Sequence, residues 1–152
     1  MATSIRAATA DDIDSLVNLE SRLFESDAGV HDPAVDKTWP QRKGRADFEN
    51  LLSETKSLVL VASDGPDVYG HLVGWVSESS DVRRGQVIGY VRSLFVDEHL
   101  RRRHLAHDLL DEFMKWSKRE HGAASISVTA YAGNHAARAF YAALGFKTSA
   151  SS

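Results

Sequence analysis

Three consecutive arginines, Arg101, Arg102 and Arg103, run directly into His104-Leu105-Ala106-His107. Before them lies a β-branched and aromatic stretch, VIGYVRSLFV (87–96), and after them an amphipathic helical pattern begins. A strand that passes through a basic turn into a helix presents unpaired backbone N–H groups and a positive helix end, the arrangement that receives phosphate. The guanidinium groups add fixed positive charge to that end. The chemistry suggested is the gripping of a phosphorylated ligand. A solvated charge run ahead of a helix is the plainer reading of the same residues, and nucleic-acid contact is a third.

A second group of charges is acidic. Between Asp11 and Asp36 stand eight carboxylates (Asp11, Asp12, Asp14, Glu20, Glu25, Asp27, Asp32 and Asp36) against the single base Arg22, a formal charge of −7. A cleft lined by such a segment would attract a cationic ligand. Some of these acids are expected to be helix-end or solvated residues. The chain has seven histidines, of which His99, His104 and His107 lie close together. Two of them are already used in the phosphate reading, so no metal is expected.

The elements that must carry these groups are readable from periodicity. Ser4 to Ala8 reads as an edge strand. Thr9 is a good N-cap for a helix running to about Asp27, with Ile13, Leu16, Val17, Leu23 and Phe24 at helical spacing. Residues 28–42, with two prolines, read as a loop, and 44–54 as a second helix. SLVLVAS (57–63) and VYGHLVGWVSES (68–79) form a hairpin across DGPD. Leu105, Leu109, Leu110, Phe113 and Trp116 make the buried stripe of a long helix ended by Gly122. SISVTAY (125–131) is a strand, and 134–144 a last helix. The resulting class is α/β (α+β), in the order β α α β β β α β α and then a stub.

At 152 residues, 43% hydrophobic and 26% charged, the composition is that of one globular domain spanning 1–152. There is no cysteine, so neither disulfides nor thiol chemistry. No apolar run is long enough to span a bilayer, and the start MATSIRAATADD has no signal-peptide core. A cytoplasmic protein with no membrane partner is expected. A net charge of −3 argues against a general nucleic-acid binder.

VRSLFVDEHLRRRHLA resembles the acyl-CoA-binding motif of the GNAT acetyltransferase superfamily, a hydrophobic strand followed by Gln/Arg-x-x-Gly-x-Gly/Ala opening a helix. A second block, Asn134-His135-Ala136-Ala137-Arg138-Ala139-Phe140-Tyr141 with Leu144-Gly145-Phe146, matches the family's N-x-x-A-x-x-x-Y…GF pattern throughout. The resemblance implies a mixed, mostly antiparallel central sheet splayed between two strands and flanked by about four helices. It implies acetyl-CoA as cosubstrate, no metal, and transfer of the acetyl group to an amine. The family's closing strand is expected to be short or missing here. That edge then belongs either to a chain that stops early or to a homodimer in which a second copy covers it.

Carried over by position, Leu94, Phe95 and Val96 would pair with pantetheine through their backbone and polarise the thioester carbonyl. They read equally well as core strand residues. Arg101, Arg102, Arg103, His104, Leu105, Ala106 and His107 would cradle the pyrophosphate. His104 replaces the family glycine, which predicts weaker cofactor binding than in a glycine version. If His104 lies in ordinary helical φ/ψ, the cost is small. Tyr141 aligns with the general acid that protonates the leaving thiolate, or is a core tyrosine. Asn134 would cap its helix or bond the pantetheine arm.

No familiar general base is present. Arg92 and Ser93 stand where many relatives have a glutamate, and Thr129 where some protein-acetylating relatives have one. Glu25, His31, Asp32 and Glu78 are the candidates for the base near substrate, with a water chain as the alternative proton route, and Arg92 would hold a substrate carboxylate or pair with one of the acids. The acidic segment favours a small polycationic acceptor, a polyamine or an aminoglycoside-type antibiotic. A protein N-terminal or lysine acetyltransferase is the alternative, and a non-catalytic acyl-CoA-binding module a second.

Overall fold

The computed structural model describes residues 3–78, 85–97, 104–131, 135–144 and 148–151. Its elements run β1 (Ser4–Ala7), α1 (Ile13–Leu23), α2 (Trp39–Ser53), β2 (Ser57–Asp64), β3 (Asp67–Glu78), β4 (Val87–Val96), α3 (Leu105–His121), β5 (Ser125–Tyr131), α4 (His135–Ala143) and β6 (Thr148–Ser151). The strands form one sheet in sequence order. β1 to β4 pair antiparallel, while β5 joins β4, and β6 joins β5, in parallel. The short closing strand is thus the four-residue β6.

Each face of the sheet is covered according to the alternation of its strands. Val59, Val61 and Val73 point to one side, where Ile13 and Leu16 of α1 and Phe48 of α2 close over them. Leu60, Leu72, Val91, Val96 and Val128 point to the other, against Leu105, Leu109, Leu110 and Phe113 of α3. Phe113 is fully buried, a placement that contributes about 2–3 kcal/mol. Gly74 makes room for it, since a β-carbon there would lie 2.5 Å from the Phe113 ring.

Two features depart from expectation. α2 begins at Trp39, inside the segment read as loop. Pro40 occupies its first turn, where a missing N–H costs nothing, so the proline that suggested a break starts the helix. α1 does not simply run on to Asp27. It widens into a π-helical turn, Phe24–Ala28, followed by a short helical piece, Gly29–His31. The Phe24 ring stacks on Trp39 with centroids 6.1 Å apart, tying that turn to the start of α2.

Candidate active site

β4 and β5 pair only from Ile88↔Ser125 to Val91↔Val128. From Val128 onward β5 pairs with β6 instead. Ser93 to Val96 therefore keep β3 as neighbour on one side, while the described register with β5 on the other side ends at Val91. The sheet opens where the resemblance expects it to.

The opening starts at a bulge. Val73 pairs with Ser93 and Gly74 with Val91, which leaves Arg92 as the extra residue of β4. A bulge bends the strand that carries it and increases its twist. Beyond it, Leu94 and Val96 pack into the α3-side core, while Phe95 faces α1. The Arg22 guanidinium lies over the Phe95 ring, 5.1 Å from its centroid, and also 3.2 Å from Asp97. Arg22, Glu25, Ser26 and Phe95 line an open pocket of about 340 Å3. The π-helical turn thus supplies one wall, through Glu25 and Ser26, and Phe95 of β4 the other.

α3 starts just past the end of β4. His104 is its N-cap, with φ 58° and ψ 22°, in the left-handed region. Among the described residues it is the sole non-glycine with positive φ. His104 thus lies outside the ordinary helical φ/ψ in which the substitution would be cheap. The backbone at this position takes the conformation for which glycine is suited. The first intrahelical bond is Asp108 N–H to the His104 carbonyl, 3.0 Å, so the N–H groups of Leu105, Ala106 and His107 have no partner within the helix. The Leu105 side chain is buried, Ala106 packs against the same core, and His104 and His107 are exposed. Arg101, Arg102 and Arg103 lie outside the described residues, as does Asn134.

Tyr141 comes from α4. It packs against the cluster containing Val91 and Val96 and meets Phe140 edge to face. Burial, with the negative charge of Asp27 adding to it, pushes its phenol up to about 12. Tyr141 is therefore within electrostatic reach of the π-helical turn that walls the pocket.

The acids of the first helix are mostly committed elsewhere. Asp12 is bridged to Arg6 at 2.8 Å and accepts the Thr9 N–H at 2.8 Å. Asp14 pairs with Arg45 and Asp36 with Arg42. Asp32 accepts the Ala34 N–H in a turn, and Asp27 lies 3.7 Å from His31. Glu25 alone of the proposed substrate residues lines the pocket. Glu78 sits at the opposite end of β3, paired with Val87, whereas Gly70 pairs with Val96 at the pocket end.

Sequence reasoning missed a buried group. Glu20, 1% exposed, and His71, fully buried, meet at 2.9 Å, Oε1 to Nε2. Arg92 lies 3.8 Å from the same Glu20 oxygen and 3.0 Å from Asp47 of α2, the latter a charge contact out of line for a hydrogen bond. Burial works against the Glu20 charge, but His71, Arg92 and the Ser93 hydroxyl together hold its carboxyl below the ordinary glutamate value. The signals were present. His71 stands between Gly70 and Leu72 at an inward strand position, and Glu20 is four residues past Leu16 on the buried helix stripe.

The acetyltransferase (GNAT) family model matches residues 13–146, nearly the whole chain. The chain belongs to the GNAT family. It is accordingly an acetyl-transferring enzyme, of a family that uses acetyl-CoA. No curated protein matches it. Solved structures share the fold. A transcriptional regulator from Bacillus halodurans C-125 superposes with TM-score 0.79 at 22% identity, covering 99% of this chain and 97% of that one. The acetyltransferase AAC(6')-Iy, in complex with the bisubstrate analog CoA-S-monomethyl-acetylneamine, gives 0.74 at 17% identity, with 97% and 92% covered. The aminoglycoside acetyltransferase HMB0005, from an uncultured soil metagenomic sample, gives 0.73 at 20%, with 100% and 96% covered. At these identities the likeness establishes the GNAT fold alone. Among the described residues no helix is long and apolar enough to cross a membrane.

Proposed function

We propose that this GNAT protein moves an acetyl group from acetyl-CoA to a primary amine of a small cationic molecule, with a polyamine or an aminoglycoside-type antibiotic as the acceptor class. The observation that carries the reading is a β4–β5 register that ends at Val91 while β4 runs on to Val96, with the start of α3 at Leu105 following it in the chain. Leu94, Phe95 and Val96 offer backbone groups to the pantetheine arm and the thioester carbonyl. The start of α3, His104 to His107, with Arg101, Arg102 and Arg103 before it, takes the diphosphate. Glu25, at the pocket wall, holds the ammonium group of the acceptor. The reacting ammonium first gives one proton to water; the free amine then attacks the carbonyl carbon, the C–N bond forms, the C–S bond breaks, and a second proton from the nitrogen ends on the thiol, so that one proton is released overall. Tyr141 faces the sulfur as hydrogen-bond donor. The aminoglycoside acetyltransferases that share the fold add support for this acceptor class.

The test is thiol release from acetyl-CoA across a panel of polyamines, aminoglycosides and peptides with free amines. Turnover of the small cations without turnover of peptides is the expected result. Turnover of peptides alone overturns the acceptor assignment, and acetyl-CoA binding without any turnover overturns the catalytic one.

A further inference from the structure

The buried polar group beside the β4 bulge has no part in the reaction as set out above. It joins four elements: Glu20 from α1, Asp47 from α2, His71 from β3, and Arg92 with Ser93 from β4. Burying a carboxylate and an imidazole is expensive, and apolar residues of the same size commonly serve a core as well or better. The His71 Nδ1 has no hydrogen-bond partner among the described residues, an additional cost. Such a group is kept for what it holds. It grips the residue at which β4 leaves register. Arg92 is the extra residue of the bulge, Ser93 follows it, and β5 parts from β4 after Val91. His71 pairs in register with Phe95, whose ring is 6.5 Å away on the pocket wall.

We propose that Glu20 and Asp47 are positioning residues for acetyl transfer: acting through Arg92, they hold the β4 bulge and so set the opening between β4 and β5 that receives the acyl donor. The inference rests on the reading of Leu94 to Val96 as the donor strand. Neither carboxylate touches substrate. Glu20 anchors the bulge from below, oriented by His71, and Asp47 anchors it from α2. Without them, nothing in this group opposes Arg92 slipping back into register, which would carry Ser93 to Val96 one position along β3 and reverse their facing.

The experiment is calorimetric titration of acetyl-CoA into the full chain as wild type, Glu20→Gln, Arg92→Gln, the double variant, and Asp14→Asn as control. Asp14 is an exposed residue of the same helix that pairs with Arg45 among the described residues. Melting curves establish that each variant is folded. Glu20→Gln and Arg92→Gln should each weaken binding about tenfold, and the double variant should be at most about twofold weaker than the weaker single, because both remove one coupled contact. The acceptor KM at saturating acetyl-CoA and the control should not move. Unchanged affinity in folded single variants, or multiplicative losses, overturns the inference. So does a loss of kcat with a displaced pH profile at unchanged affinity, which would assign Glu20 and His71 to proton transfer. Should Glu20→Gln fail to fold, Arg92→Gln and Asp47→Asn carry the same cycle. A wild type that does not bind acetyl-CoA removes the donor-strand reading itself, and the inference with it.

Discussion

Replacing His104 by glycine should make the protein more stable and bind acetyl-CoA more tightly. A β-carbon in the left-handed region costs about 1–2 kcal/mol, somewhat less for histidine than for branched residues. His104 sits there at φ 58°, and its side chain is exposed, so truncation removes no packing. Glycine gives back about 0.5–1 kcal/mol through the greater freedom of the unfolded chain. The net gain is then about 0.5–1 kcal/mol, a rise in melting temperature of about 1–4 °C for a chain of this size. Thermal unfolding of wild type, His104→Gly and His104→Ala decides it. Alanine keeps the β-carbon and the strain, so it should melt at or near the wild-type temperature. Titration with acetyl-CoA should show a few-fold tighter binding to the glycine variant, because the first-turn N–H groups become more approachable. If His104→Gly melts below wild type, or His104→Ala gains as much as glycine does, the strain argument is wrong. If the glycine variant binds more weakly, the imidazole contributes to the phosphate site and the steric reading fails.

Four further outcomes follow from the same geometry. Gly74→Ala should cost about 1–3 kcal/mol by driving a β-carbon into the Phe113 ring, read by urea denaturation. Tyr141→Phe should lower kcat by about 10- to 100-fold, the worth of one hydrogen bond to a charged atom, with little change in acetyl-CoA affinity. The wild-type rate should show no fall from Tyr141 ionisation below about pH 11, since its phenol sits at about 12. Stability should also decline on the acid side. The Arg6 hydrogen bond, despite opposing burial, and the Thr9 N–H lower the Asp12 pKa, and His71 and Arg92 lower that of Glu20. Both carboxyls are more acidic folded than unfolded, so their contribution is complete above an unfolded value of about 4 and is lost as pH falls below it. Asp12→Asn should flatten that decline in acid-unfolding curves and leave stability at pH 8 lower.

How much of this was legible depended on where the determining partner lies. β4, β5 and α3 could be read to within a residue or two because alternation and the Leu105-Leu109-Phe113 stripe are local patterns. α2 was read late because Pro40 is ambiguous until its position in the first turn is known. The charge of the acidic segment is smaller in the fold than its sum in the sequence, for a physical reason. Summed over residues 11–36 it is strongly negative, but the arginines that neutralise Asp12, Asp14, Glu20 and Asp36 are Arg6, Arg45, Arg92 and Arg42, all outside that window. The charge of a segment is not the charge of a cleft once distant partners close on it. Glu20 and His71 were passed over because each is unremarkable in its own element and becomes significant only when α1 lies across β3.

The raised Tyr141 pKa bears on where the proton of the reaction travels. In the role proposed for it beside the leaving sulfur, a phenol pushed up to about 12 would lose roughly 4–5 kcal/mol by giving its proton to a thiolate whose conjugate acid lies near 8.5. Full transfer from Tyr141 to the leaving sulfur is therefore uphill. What burial does provide is a phenol that stays protonated through the working pH range and donates a strong hydrogen bond as charge develops on sulfur. The proton that ends on the thiol is then more cheaply supplied by the acceptor, since an attacking amine must shed one as its C–N bond forms. In the proposed mechanism, Tyr141 and the pocket wall at Glu25 and Ser26 would act on opposite ends of one charge displacement. Asp27, which helps hold the phenol protonated, belongs to the same π-helical turn as Glu25. In the proposed mechanism, the widening of α1 at that turn would then bear on both ends of the reaction, with Glu25 at the pocket wall and Asp27 acting on Tyr141.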